Sequence, residues 1–441
     1  MLTILANRTY RHLFLAQVIA LVGTGLATVA LGLLAYDLAG ADAGAVLGTA
    51  LAIKMVAYVG VAPVAGAFAA RWPRRTMLVA LDLVRASVAV ALPFVTEVWQ
   101  VYGLIFVLQA ASAAFTPTFQ ATIPDVLPDE GEYTRALSLS RLAYDLESVV
   151  SPMLAAALLT VVSFHALFAG TVVGFLVSAS LVVSVVLPSP RVDAAAQGGI
   201  YDRTTRGVRR YLATPRLRGL LALNLAIAAA SSMVIVNTVV LVQARYGLGQ
   251  TATAVALAAF GSGSMIAALA LPHLLDTLPD RRAMLGGATV LVIGLTAGTL
   301  LPGYGWLLPL WFALGLGYSL AQTPTGRLLK RSAHSPDRPA LFAAQFALSH
   351  ACWLITYPMA GWLGTTAGLG ATFAVLAAIA AAAVGLASRL WPVDDPAELP
   401  HTHDNLPAGH PHLAGAEPTG GGHRHSHALV IDREHPVWPE R

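Results

Sequence analysis

Eight of the thirteen histidines lie in the last fifty residues, as His401-Thr-His403, His410-Pro-His412 and His423-Arg-His425-Ser-His427, with His435 beyond. Imidazoles two apart on a flexible chain can turn toward one ion. An unperturbed pKa of about 6.5 leaves most of them neutral, and so able to ligate, near neutral pH. The chemistry they offer is the binding of a divalent ion such as Ni2+, Co2+ or Zn2+. A second set of reactive residues, Lys54, Asp82, Arg85, Arg141, Asp145 and Glu147, sits inside apolar stretches. A charge there is expensive unless paired or wetted, so each asks for a partner or a pathway. Arg141 and Asp145 are four apart and Asp82 and Arg85 three apart, which lets each pair neutralise itself within one helix. Glu147 lies about 200° around the helix from Asp145, so it needs a partner elsewhere, and Lys54 is also left over. These charges form either an ion-pair network that holds helices together or a route for protons and cations. Glu147 is the first choice for a group that takes a proton and a cation in turn. His350 and Cys352, on a later apolar stretch, are possible ligands in the same region; the plainer alternatives are a helix-helix hydrogen bond and small apolar filler.

The elements that must hold these residues follow from composition. Of 441 residues, 56% are hydrophobic and only 11% charged, against about 25% charged in a soluble protein. Twelve apolar stretches, from 12–36 to 369–390, are each long enough to span about 30 Å of hydrocarbon. The first has no cleavage-site pattern and reads as a first span, not a removable signal peptide. One cysteine, Cys352, excludes an internal disulfide and any multi-cysteine metal motif. The net charge of +4 does not point to nucleic acid, because it tracks topology. Arginines and lysines crowd alternate loops, including Arg71, Arg74 and Arg75, Arg281 and Arg282, and Arg327, Lys330, Arg331 and Arg338, whereas the opposite loops hold only Arg245. The positive-inside rule then places both ends, the central loop and the histidine tail in the cytoplasm, with the chain in the inner membrane. The surroundings expected are lipid, a transported ion and protons, with no resident cofactor, no enzymatic chemistry and a monomeric unit.

The chain also repeats itself. Thr116-Pro117-Thr118 and Ser151-Pro152-Met153 recur as Thr323-Pro324-Thr325 and Tyr357-Pro358-Met359, at offsets of 207 and 206 residues. Two six-helix halves in the same orientation, 1–187 and 218–390, are therefore expected around a cytoplasmic linker, 188–217. The fold class is all-α and integral to the membrane, with twelve transmembrane helices. Residues 391–441 carry many prolines and glycines without apolar periodicity, so they are expected to be a disordered histidine-rich tail.

The segment Gly66-Ala-Phe-Ala-Ala70-Arg71-Trp-Pro73-Arg74-Arg75 resembles the loop motif G-x-x-x-D-R-x-G-R-R of the major facilitator superfamily. Ala70 stands where that motif has an acid and Pro73 where it has a glycine, so the charged latch that the family builds there lacks its carboxylate. Asn7-x-x-Tyr10-Arg11, Asp82-Leu-Val-Arg85 and Phe115-Thr-Pro-Thr through Pro124-Asp125 are similar to the drug and siderophore exporters of that superfamily. The histidine-rich tail on such a body resembles the nickel-resistance (NreB-like) group. That resemblance implies a secondary transporter exporting nickel, with cobalt as a companion, by proton antiport. Two alternatives stay open: a proton-coupled exporter of drugs or siderophores whose tail is incidental, and a membrane-anchored metal buffer or sensor that transports nothing.

Overall fold

The structure, a computed structural model, describes residues 2–39, 43–69, 72–188, 199–300 and 303–396, and the tail to residue 439 apart from 397, 404–405, 408–409, 421, 433 and 436. Hydrocarbon offers backbone groups no water, so apolar segments of this length satisfy themselves as helices. The first half consists of α1 (Arg8–Ala39), α2 (Ala43–Ala69), α3 (Arg74–Ala91), α4 (Val98–Val126), α5 (Glu130–Leu158) and α6 (Phe164–Val183). A short amphipathic helix, α7 (Ile200–Ala213), follows. The second half has α8 (Pro215–Val239), α9 (Gln250–Leu275), α10 (Asp280–Gly298), α11 (Tyr304–Gln322), the short α12 (Thr325–Arg331), α13 (Arg338–Thr366) and α14 (Leu369–Leu390).

Among the described residues nine helices are long and apolar enough to cross a membrane by length and composition. The three other long ones are α5, which carries Arg141, Asp145 and Glu147; α10, which opens on Asp280-Arg281-Arg282; and α11, rich in glycine and aromatic residues. Of these, α5 packs on α1 of its own half and α9 of the other, and α10 and α11 pack on each other.

The two halves pack by one plan. In the first, α1 lies on α5 and α6, α2 on α4, and α3 on α4 and α6; in the second, α8 lies on α13 and α14, α9 on α11, and α10 on α11 and α14. Every contact has its equivalent under the helix order set by the repeated proline motifs. Between the halves, α2 meets α13 and α5 meets α9, again an equivalent pair. The close crossings need residues without side chains. Gly66 of α2 faces Ala343 of α13, where an added Cβ would lie 2.6 Å from the alanine methyl. In the second half, Gly263 of α9 abuts the Phe312 carbonyl of α11, and Gly315 of α11 abuts the Phe260 carbonyl of α9.

Two expectations are corrected. The linker is not a plain loop: among its described residues, α7 lays Gly207 against the Ala340 backbone of α13, and the Tyr211 hydroxyl donates to Gln345 at 2.5 Å. The extension beyond Trp391 is not disordered. It forms an antiparallel sheet in the order β1 (Leu399–His403), β3 (Gly422–His427), β2 (Glu417–Thr419). Its small core of Leu413, Leu429, Val430 and Ile431 is buried. Arg216 at the start of α8 anchors it, donating to the Leu429 carbonyl at 3.3 Å and stacking on Trp438 at 4.9 Å. Local composition could not show this, because the burial comes from docking on the helical body.

Replacing Gly315 with valine would drive a branched side chain into the Phe260 carbonyl and should cost about 3 kcal/mol. Thermal unfolding in detergent measures it; an unchanged midpoint would show that α9 and α11 are not in backbone contact.

Candidate functional site

A cavity of about 460 Å³ lies between the halves, lined from α1, α2, α3, α4 and α5 on one side and α11, α12 and α13 on the other. Lys54, Arg85, Arg141, Glu147 and His350 all line it. Asp82, Asp145 and Cys352 do not; the two aspartates sit behind their arginines.

Both helical spacings produce the pairs they imply. Arg85 pairs with Asp82, whose second oxygen accepts from Ser178 at 2.8 Å, and the guanidinium lies 4.0 Å from the Phe115 ring centroid and 4.5 Å from that of Phe175. This joins α3, α4 and α6 within one half. Arg141 pairs with Asp145 and also crosses to the other half, donating to Ser264 at 3.1 Å and lying 4.5 Å over Tyr318. Its reach to α9 and α11 has no counterpart in sequence spacing.

The two leftover charges both line the cavity from the first half. Lys54 is the opposite charge acting on Glu147, and it also lies 5.5 Å over the Tyr58 ring. Neither is in a contact ion pair among the described residues, so both keep a face toward the cavity. Room for the carboxylate comes from Gly25, where a Cβ would stand 2.5 Å from Glu147 Oε1. The Nδ1 of His350 is 2.6 Å from the Phe346 carbonyl, which puts the ring proton on Nδ1 and leaves the Nε2 lone pair free. Tyr58, Phe346 and Trp353 enclose that ring at centroid distances of 4.8, 4.1 and 5.4 Å. Cys352 is buried elsewhere, with its thiol 3.5 Å from the Leu348 carbonyl. His350 and Cys352 are thus not brought together.

One end of the cavity is closed by charge on the arginine-rich face. Asp125, at the end of α4, pairs with Arg74 of its own half and Arg338 of the other, and accepts from Ser335 at 2.7 Å. Beside it Arg327 bridges Glu130 at 2.7 Å and Asp280 at 2.9 Å, and Lys330 donates to the Pro128 carbonyl at 2.5 Å. Of the loop-motif residues, Gly66 is at the crossing of the halves, Arg74 is in this latch, Arg75 is exposed, and Arg71 lies outside the described residues. Asp125 opens an acidic run with Asp129, Glu130 and Glu132 among basic loops, a setting in which pairing with loop arginines is expected, but spacing does not show that its two partners lie 264 residues apart.

The tail histidines gather on the same face. The Nε2 of His401 is 3.0 Å from the Nε2 of both His425 and His435, and that of His412 is 3.2 Å from His403 and 3.3 Å from His427. The Nδ1 atoms point outward to oxygen: His401 to Leu399 at 2.9 Å, His427 to Ala428 at 3.0 Å, His435 to Asp432 at 3.0 Å and His412 to Glu434 at 2.9 Å. His410 caps the turn through its Nδ1 instead, and His423 stands at the far end of β3, opposite His403. Burial, reinforced by neighbouring imidazoles, pushes His401 and His425 down to about 4, and lowers His403 and His412. Those four rings are therefore held toward the neutral form. Burial alone would raise Asp432, but hydrogen bonds from His334 and His435 hold it well below the usual carboxylate range. His334 is 3.5 Å from Asp432 and adjoins the latch residue Ser335.

Comparison with known proteins agrees with this architecture. The human organic anion transporter MFSD10 superposes with a TM-score of 0.74 at 13% identity, covering 86% of this chain and 99% of that one. A bacterial homologue of the iron transporter ferroportin in the outward-facing state gives 0.73 at 14% identity, covering 87% and 99%. In sequence, the chain is 27% identical to macrolide efflux protein A of Streptococcus pyogenes over 152 residues, which is 32% of this chain and 37% of that protein. It is 28% identical to the uncharacterized MFS-type transporter YfiS of Bacillus subtilis over 106 residues, 24% and 25% of the two chains. The chain thus spans only a quarter to somewhat over a third of these curated relatives. The sequence profile of one family matches residues 13–257 and again 220–413, and with the duplicated bundle and central cavity this makes the chain a membrane transporter that belongs to the Major Facilitator Superfamily.

Proposed function

We propose that this transporter exports a divalent transition metal, nickel first and cobalt next, in exchange for protons, with the arginine-rich face in the cytoplasm of the cell inner membrane. The convergence of imidazole nitrogens beside the latch carries the reading: it gathers metal where cargo would be loaded. The tail lies outside the bundle, so it collects or reports the ion, and the crossing belongs to the cavity.

Within the cavity, Glu147 is the carboxylate that exchanges a proton for the cargo cation, with Lys54 as the competing charge that helps release either. His350 offers one further nitrogen through its free Nε2. Expelling a divalent ion against an inside-negative potential requires about 2.3 kcal/mol per charge per 100 mV, and inward proton flow supplies it. Alternating access requires the Asp125 latch to open when the cavity faces the cytoplasm.

A second reading has its own support. Apart from these charges the cavity is lined by Tyr58, Phe119, Tyr144, Tyr318, Phe346 and Trp353, a surface that suits a large organic cation, and a partial relative is a macrolide efflux protein. Metal content of cells separates the two. The metal reading expects lower internal nickel with the protein than without it, and a partial loss of that difference when residues 398–441 are removed; unchanged nickel together with reduced drug content decides for the organic cargo.

In everted vesicles carrying a pH gradient, Glu147→Gln should abolish gradient-driven uptake while leaving the fold intact, and uptake at the parental rate would remove Glu147 from coupling. Asp125→Asn leaves Arg74 and Arg338 without their shared anion, at a cost of about 3 kcal/mol to the latched state. In a Cys352→Ser background, maleimide labelling of Ile123→Cys from the arginine-rich side should then rise at least about tenfold. Equal labelling would show that the latch does not hold the halves.

A further inference from the structure

The six rings of His401, His403, His412, His425, His427 and His435 are not a loose collection. Each packs edge to face on its neighbours at centroid distances between 4.6 and 5.2 Å. Three pairs are not in ring contact: His401 with His412, His403 with His427, and His425 with His435. Every ring thus has one opposite and touches all the rest, which is the neighbour pattern of an octahedron's vertices.

The nitrogen spacings agree. At a metal-nitrogen distance of about 2.1 Å, adjacent ligands of an octahedron are about 3.0 Å apart and opposite ligands about 4.2 Å, whereas four ligands of a tetrahedron are all about 3.4 Å apart. Here the adjacent Nε2 atoms are 3.0 to 3.3 Å apart, and ligand atoms of His401, His412, His425, His427 and His435 all fall within 4.8 Å of one another.

The ring orientations suit a cation at the centre. The Nδ1 atoms of His401 and His435 turn outward to Leu399 and Asp432, and their Nε2 atoms face inward 3.0 Å apart. The Nδ1 atoms of His412 and His427 likewise face Glu434 and Ala428, with their Nε2 atoms 3.3 Å apart. The carboxylates of Asp432 and Glu434 stand behind the rings, where they orient them and raise their basicity as outer partners of a metal.

We propose that these six imidazoles form one octahedral, all-nitrogen site for a single divalent ion, and that it selects by coordination number. Ni2+ and Co2+ accept six nitrogens readily. Zn2+ favours four and Cu2+ a tetragonal arrangement, so neither uses the whole site, and the higher intrinsic affinity of Cu2+ is offset by shape. His410 and His423 take no part. The inference extends the reading of the tail as metal-binding and stands apart from what the helices carry, so failure of transport and failure of this site are separate results.

The test is a titration of the full chain in detergent with Co2+, followed by visible absorption. Saturation at one ion per chain with the weak pink absorption of octahedral Co2+ supports the site; the intense blue of tetrahedral Co2+, or several ions bound with equal affinity, overturns it. His425→Ala should weaken binding by about tenfold or more, while His410→Ala and His423→Ala leave affinity and spectrum unchanged. Equal losses in all three overturn the assignment. Asp432→Asn keeps the six ligands and should weaken binding with the same spectrum; a change to the tetrahedral spectrum counts against the octahedron.

Discussion

An ionised side chain taken out of water must find a countercharge, a hydrogen-bond partner or a wet cavity, and the interior of this bundle is arranged around that constraint. Asp82 and Arg85 meet it inside one half with help from Ser178 and two aromatic faces. Arg141 meets it with Asp145 and then reaches across to Ser264. Lys54 and Glu147 meet it differently, by facing the same cavity without a contact ion pair among the described residues. A charge neutralised by its neighbour has little to exchange, whereas one that relies on cavity water and a movable partner can trade that partner for a proton or a cation.

The same constraint makes the closed face reversible. Small residues such as Gly66 bring α2 and α13 into contact, and that contact has no strong directional preference. The ion pairs provide one. Asp125 holds an arginine from each half, so separating the halves must rehydrate both guanidinium groups or find them new partners. An ionic latch at the water boundary suits this task, because water can enter as the pairs separate and limit the cost of opening. The sequence has no acid at position 70, and the carboxylate of this latch comes from Asp125 at the end of α4.

The tail extends this face. Arg216 grips Leu429 and Trp438, and Arg331 donates to the Asp395 carbonyl at 3.2 Å. His334 touches Asp432 on one side and precedes Ser335 of the latch on the other. The sheet that carries the clustered imidazoles and the bridge between the halves are thus linked through His334 and Ser335, which are adjacent in sequence.

Composition, the run of apolar stretches and the repeated proline motifs were enough to determine a duplicated helical bundle, since hydrocarbon leaves the backbone few options. Helical spacing alone determined that Asp82 would meet Arg85 and Arg141 would meet Asp145, because those contacts lie within one helix. The histidine spacing raised an expectation of metal chemistry, because imidazoles two residues apart can turn toward one ion. Only the tertiary structure decided which charges line the cavity, that Asp125 joins an arginine from each half, that Cys352 turns away from His350, and that six of the eight tail histidines converge while two do not. Each of these depends on residues tens to hundreds of positions apart, and no local periodicity records such a distance. The tail shows the limit most plainly: its prolines and glycines argue for disorder, but docking on Arg216 and the mutual burial of its rings supply the order that its own composition lacks.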